Sequence, residues 1–210
     1  MSEFSETVLE RLRGNIASIL SKERYAHTLG VEECAARMAR LFCPEQESLL
    51  RAAALLHDCT KEYDRQKTAQ VLAREGVVLR PDEAASPAIH HAITAPCEIA
   101  RLYPDFADPA LLSAVRWHTT GHADMTLCEA ILYLADVIEE GRSYPACVAL
   151  RDRFWGADLE SMPLAMRLQH LHKVLLESLT SVRDSLSAKG SAVCADTLLA
   201  IESLGMKKTF

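Results

Sequence analysis

The chain has 210 residues, 49% of them hydrophobic and 25% charged, a balance that suits an ordinary globular protein with one substantial core. A net charge of −6 without a basic run argues against nucleic acid or a membrane surface as a partner, because phosphates are held by clustered Lys and Arg. No apolar run approaches the ~20 residues that cross a bilayer, and the acidic, amphipathic start MSEFSETVLERLRG is unlike a signal peptide, so a cytoplasmic location is expected. The seven cysteines (34, 43, 59, 97, 128, 147 and 194) form no CxxC pair, which indicates neither a disulfide framework nor a zinc-thiolate site.

Helical spacing dominates in chain order. Val8, Leu9, Leu12, Ile16, Ile19 and Leu20 recur at three- and four-residue intervals behind a Ser5 cap. A second helix is expected from about Glu23 to Phe42, stopping before Pro44, and a third from about Glu45 to Cys59. Further helices fall at Thr68 to Glu75, Ser86 to Ala92, Ala95 to Leu102, and Pro109 to His118, the last with Asp108 as cap and Pro109 at its first position. GVVLRP is compatible with an extended segment, too short to make a sheet. In TLCEAILYLADVIEEG, Thr126 and Glu129 form a capping box and Gly141 supplies the stop. After GADLESMP a long helix runs from Leu164 to about Ala188, with Leu168, Leu171, Leu175, Leu179, Val182 and Leu186 on its stripe. A last helix spans Ala192 to Leu204. The leucine stripe reads as a core face, with a partner or homodimer surface as the alternative. The whole is a single all-α domain over 1–210, with a core at about 20–155 and a helical C-terminal appendage at about 161–205.

Polar residues interrupt this pattern in the wrong places for a plain core. AAALLHDCTKEY sets His57, Asp58 and Lys61 directly after an aliphatic run, and each is expensive to desolvate without a partner. On a helix His57 and Asp58 would point roughly 100° apart, so a cation between them is reached by both, while Lys61 meets an anion on the same side. Asp136 repeats the puzzle after AILYLA; coordination of a cation or a salt bridge to an arginine would compensate it. His27 lies inward on the second helix, which suits either a hydrogen-bonded core histidine or a ligand. Nitrogen and oxygen donors from three helices suit a borderline transition metal, Fe, Mn, Co or Zn, better than calcium.

The H…HD…D pattern in an all-α chain resembles the HD superfamily of metal-dependent phosphohydrolases. RYAHTLGV, AALLHDCTK, His91-Ala92, LLSAVRWHTTG, MTLCEAILYLADVIEEGR and Arg151 resemble, in order and spacing, the YqeK-type HD proteins over roughly 20–155. That family is described as symmetrical diadenosine tetraphosphate hydrolases yielding two ADP, and also in connection with NAD metabolism. The resemblance implies an HD-domain helical bundle, a nucleotide or dinucleoside polyphosphate as small-molecule partner, and one or two divalent ions, iron first among them. By matching positions, His27, His57, Asp58 and Asp136 become core ligands, with His91 and His118 completing a second metal position and Asp58 bridging. His91 rather than its neighbour His90 aligns with the family histidine. For His118 the alternative is a favourable place against a helix C-terminus.

The catalytic expectation is that a metal-activated hydroxide attacks an inner phosphorus, that Asp58 orients the water, and that Lys61 and Arg142 neutralise phosphate charge. Arg24 and Thr119 are further substrate contacts, with ion pairing as the alternative for either arginine. The chain departs from the family by reading HAITAP where HxPxG is common, with Ala95 at the glycine, which points to an altered loop at 91–96, and by IEEGR in place of IEPGR. A nucleotidase or deoxynucleoside-triphosphate hydrolase on the same metal core is the alternative enzyme. A nucleotide-binding module without catalysis is the alternative class.

Overall fold

The computed structural model describes residues 4–207, and every regular element among them is helical. Local chemistry sets the first ends. The Ser5 side chain accepts from the Val8 N–H and starts α1 (Glu6–Ala17), and Ser21 does the same for α2 (Lys22–Phe42), each supplying a partner to an orphan N-terminal donor. A 3₁₀ turn at Pro44–Gln46 leads into α3 (Glu47–Leu56). Residues 52–60 are all buried, and the apolar second half of α3, Ala52 to Leu56, belongs at the centre of the bundle. α3 packs against α2, and α1 lies across both.

Asp64 caps α4 (Arg65–Arg74). The GVVLRP stretch carries no strand among the described residues and leads to α5 (Pro81–Ala84). The two helices expected between Ser86 and Leu102 are instead a 3₁₀ turn, Pro87–Ile89, and one continuous α6 (His90–Leu102) with Pro96 inside it. The residues expected to form an altered loop are therefore helical. An interior proline costs about 3 kcal/mol, but Ala92, Ala95 and Ile99 are fully buried on the packed face, and that packing holds the helix through the proline.

Asp108 accepts from the Ala110 and Leu111 N–H groups at the head of α7 (Pro109–Trp117), and the Thr126/Glu129 capping box forms as expected at α8 (Leu127–Ile138). α8 stops at Glu139, whose backbone turns extended (φ −59°, ψ 154°), two residues before the expected stop at Gly141. α9 (Pro145–Trp155) was not expected; Pro145 at its first position was the available signal. α10 (Leu164–Ala188) has the expected bounds, and α11 (Ala195–Met206) starts three residues later than expected. Leu171, Leu175 and Leu179 are fully buried, so the middle of the α10 stripe is core, packed on α2, α8, α9 and α11. α2, α3, α7 and α8 thus enclose the core, each buried Leu or Ile adding about 1.5–3 kcal/mol, and the ends of three of them meet at one polar cluster.

Candidate metal centre

α3 ends one residue before the histidine. His57 and Asp58 lie in the turn that follows Leu56, not within a helix as the spacing suggested, and Cys59 and Lys61 close three-residue turns back to Leu56 and Asp58. The turn lets the two side chains diverge without a helical wheel. His57 Nδ1 donates to the Ala54 carbonyl at 2.6 Å, and at the end of α7 His118 Nδ1 donates to the Val115 carbonyl at 2.6 Å. Each histidine thereby satisfies a carbonyl that the helix end leaves open and turns its Nε2 toward the cluster.

Asp58 is the hub. Its Oδ1 lies 3.2 Å from His91 Nε2 and 3.9 Å from His118 Nε2, while Oδ2 lies 3.4 Å from His57 Nε2 and 3.9 Å from His27 Nε2. His27, from the interior of α2, has Nε2 3.0 Å from Asp136 Oδ1, and His91 and His118 bring their Nε2 atoms to 3.1 Å. His57, Asp58, His91 and His118 are all buried. His57 Nε2 is buried and completes no hydrogen bond.

Protonation suits a cation. Burial, helped by the facing imidazole, pushes His91 well below its usual range, and burial with His57 nearby takes His118 to about 4. Burial opposes ionisation of Asp58 and Asp136, but the surrounding imidazoles, His57 foremost at Asp58 and the His27 hydrogen bond at Asp136, hold both carboxyls well below the carboxylate range. Burial pulls His27 down, and its two carboxylate partners more than offset that, leaving it raised. His91 and His118, kept neutral beside ionised carboxylates, are in the state in which each ligates, whereas His27 would give up a proton to a metal on binding it. His27, His57 and Asp136 form one set whose ligand atoms lie within 4.8 Å of one another, and His57, Asp58 and His118 form another. The mixed N/O donors and the orphaned His57 Nε2 fit a divalent metal.

The HD domain family model matches residues 24–141, from Arg24 at the start of α2 through the end of α8, and so takes in every residue of this cluster. The chain belongs to the HD domain family. It is 33% identical over 138 residues to the protein of Halalkalibacterium halodurans named bis(5'-nucleosyl)-tetraphosphatase, symmetrical, covering 63% of this chain and 69% of that one. A protein of the same name from Bacillus subtilis is 28% identical over 180 residues, 86% of this chain and 88% of its own. The crystal structure of a "predicted HD superfamily hydrolase involved in NAD metabolism" from Clostridium acetobutylicum superposes with a TM-score of 0.77 at 27% identity, covering 97% of this chain and 98% of that one.

Cations crowd the HD centre. Arg24 Nη1 donates to Asp58 Oδ2 at 2.8 Å, and Arg142 pairs with Asp136 through Nη2 while its Nε donates to the Asp136 carbonyl at 2.9 Å. The salt bridge considered for Asp136 is thus present, and both arginines are ion-paired in this structure. Lys61 Nζ lies 3.3 and 3.2 Å from the two ring nitrogens of His91, and burial lowers its pKa. Thr119, next in the chain after His118, has a buried hydroxyl that makes no hydrogen bond. His90 points away, to the Glu83 carbonyl at 2.9 Å.

One residue of the HD centre escaped the sequence reading of its role. Glu139 Oε1 accepts from His27 Nδ1 at 3.1 Å, and its other oxygen accepts from the Gly141 N–H at 2.5 Å. The Arg151 guanidinium donates to the Glu139 carbonyl at 2.7 Å. Gly30, one helical turn after His27, leaves the space for this carboxylate, since a Cβ there would lie 2.3 Å from Glu139 Oε2. The retained IExGR and the His-x-x-Gly spacing were the available signals.

Proposed function

We propose that this HD phosphohydrolase is a symmetrical bis(5'-nucleosyl)-tetraphosphatase: it adds one water across the anhydride between the second and third phosphates of diadenosine tetraphosphate and releases two ADP. The observation that carries this is the gathering of His27, His57, His91 and His118 around the buried Asp58, with Asp136 against His27, in a chain that matches relatives of that name over most of their length.

These six residues would hold one or two divalent ions, with iron as our assignment and Mn, Co or Zn as the other borderline metals that suit the donors. Such ions supply Lewis acidity toward phosphoryl oxygens and lower the pKa of bound water. The protein's own part is positioning and charge. His57 and His118 are held with Nε2 inward by their helix-end carbonyls, and His27 is held by Glu139. Asp58, an ionised acceptor at the centre, orients the attacking water. Lys61, Arg24 and Arg142 balance the charge of the polyphosphate, and the Thr119 hydroxyl, unpartnered here, donates to a phosphate oxygen. The 1–210 chain acts as one domain in the cytoplasm; among its described residues no helix is long and apolar enough to cross a membrane.

Chromatographic product analysis tests this directly. Purified protein of measured metal content, incubated with diadenosine tetraphosphate, is expected to yield ADP alone. ATP plus AMP would refute the symmetrical register, and release of phosphate or tripolyphosphate from mononucleotides in preference would select the nucleotidase reading instead.

A further inference from the structure

Two clefts of different character open on opposite sides of the Asp58 hub. One, of about 440 Å³, runs between α4 and the Pro87–Ile89 turn; its inner end is formed by Lys61 and His91, and its walls by Tyr63, Leu72, Leu79 and Ala88. The other, of about 250 Å³, begins at His27 and is lined by Arg24, Glu62, Glu139 and Arg142, with the largely exposed Tyr144 at its rim. The buried Asp58 carboxylate lines neither cleft but touches residues of both: Oδ1 lies 3.2 Å from His91 of the first, and Oδ2 lies 2.8 Å from Arg24 and 3.9 Å from His27 of the second.

Small-molecule sites of about 300–1,000 Å³ are mostly apolar with a few placed polar groups. The first cleft meets that description: Leu72, Leu79, Pro87 and Ala88 supply apolar wall, and two cations, Lys61 and Arg65, and two imidazoles, His90 and His91, are its charged and titratable groups. The second is smaller and lined chiefly by charge. A dinucleoside polyphosphate has two flat, largely apolar bases joined by an anionic chain, and only one of these clefts suits a base.

Building on the polyphosphate reading above, we infer that the two ends of the substrate are held unequally: one purine nucleoside sits in the cleft walled by Tyr63, Leu72, Leu79 and Ala88, and the phosphate chain runs from Lys61 across Asp58 to Arg24 and Arg142. The second nucleoside extends past Tyr144 into solvent. The single seated nucleoside then sets which phosphate lies over the centre, and the 63/72/79/88 walls are specificity-determining positions for a nucleoside diphosphate.

The test is calorimetric binding of ADP and of inorganic pyrophosphate to the metal-replete protein as purified, with Ala88→Trp and Ala69→Trp filling the cleft from opposite walls. Both positions are exposed and line the cleft, so neither substitution burdens the core. ADP affinity is expected to fall about tenfold or more in each variant, a loss of ~1.4 kcal/mol or more, while pyrophosphate affinity stays within about twofold of wild type, a difference below ~0.5 kcal/mol. Absent ADP binding by the wild type, ADP binding unchanged in both variants, or pyrophosphate binding weakened as much as ADP binding overturns the assignment. Two ADP formed from diadenosine tetraphosphate with unaltered KM in both variants would keep the proposed function and remove the cleft; ADP binding lost as expected without symmetrical cleavage would do the reverse.

Discussion

Glu139 Oε1 lies 3.1 Å from Nδ1 of His27, a residue 112 positions earlier in the chain. This hydrogen bond orients a histidine whose other nitrogen faces Asp136 at 3.0 Å, the arrangement by which outer carboxylates fix the tautomer and basicity of a ligating imidazole.

Glu139→Ala should therefore weaken metal retention about 10–100-fold, as loss of outer partners does elsewhere, with Glu139→Gln recovering part of it because an amide oxygen still accepts from Nδ1–H. Metal content after dialysis against graded chelator is the readout. A merely structural role would lower the melting temperature of both variants and leave their metal affinity alone.

Gly30→Ala should act through the same carboxylate. The added Cβ would meet Glu139 Oε2 at 2.3 Å, and Glu139 is buried and tied at both oxygens, so it cannot simply swing aside. Overpacking of this kind costs about 1–3 kcal/mol. A melting curve should show that loss together with reduced metal content; full retention of both would mean Glu139 moves freely.

Asp58→Ala removes the atom pair on which both halves of the cluster converge. Turnover and metal retention should be abolished together, measured as ADP release and bound metal in one preparation. A metal-free variant with wild-type activity would end the metal mechanism.

Chelation should also destabilise the folded protein, because whatever binds the native state alone stabilises it by mass action, about 2.7 kcal/mol at 100 times Kd. When the metal leaves, the buried, ionised Asp58 keeps only the Arg24 guanidinium as a permanent cationic partner, and His57 Nε2 makes no hydrogen bond. Thermal melts with and without chelator check this, and an unchanged melting temperature would count against tight binding.

Away from the centre, Glu98 links pH to stability. Burial would raise its pKa, but hydrogen bonds from Arg101, Arg74 and Tyr63 take it down to about 2, from a usual 4.5. A depressed carboxyl stabilises the fold above its unfolded pKa and ceases to do so as pH falls through the folded one, so this contribution should vanish between about pH 4.5 and 2. The difference corresponds to about 3–4 kcal/mol by linkage as an upper bound, and to less than that here because both arginines are partly exposed and solvent screens the pairs. Glu98→Gln should lower the melting temperature at pH 7 and flatten its decline across that acid range; parallel curves for the two proteins would refute the coupling.

Periodicity and caps alone determined most of the helices: Ser5, Asp108 and the Thr126/Glu129 box stand where expected, and α10 has the expected bounds, because capping and amphipathic spacing act within a few residues. The residue types of the cluster were legible too, since a carboxylate or imidazole following an aliphatic run requires compensation wherever it lies. Tertiary structure decided the rest. It ended α3 at Leu56 and put His57 and Asp58 in a turn, carried α6 through Pro96 on the strength of its buried face, and brought Glu139 beneath His27 over the space at Gly30. It also paired Arg24 with Asp58 and Arg142 with Asp136, and opened an apolar cleft on one side of the hub and a charged one on the other. Those features depend on which distant side chains share one desolvated space, and no local spacing rule encodes that.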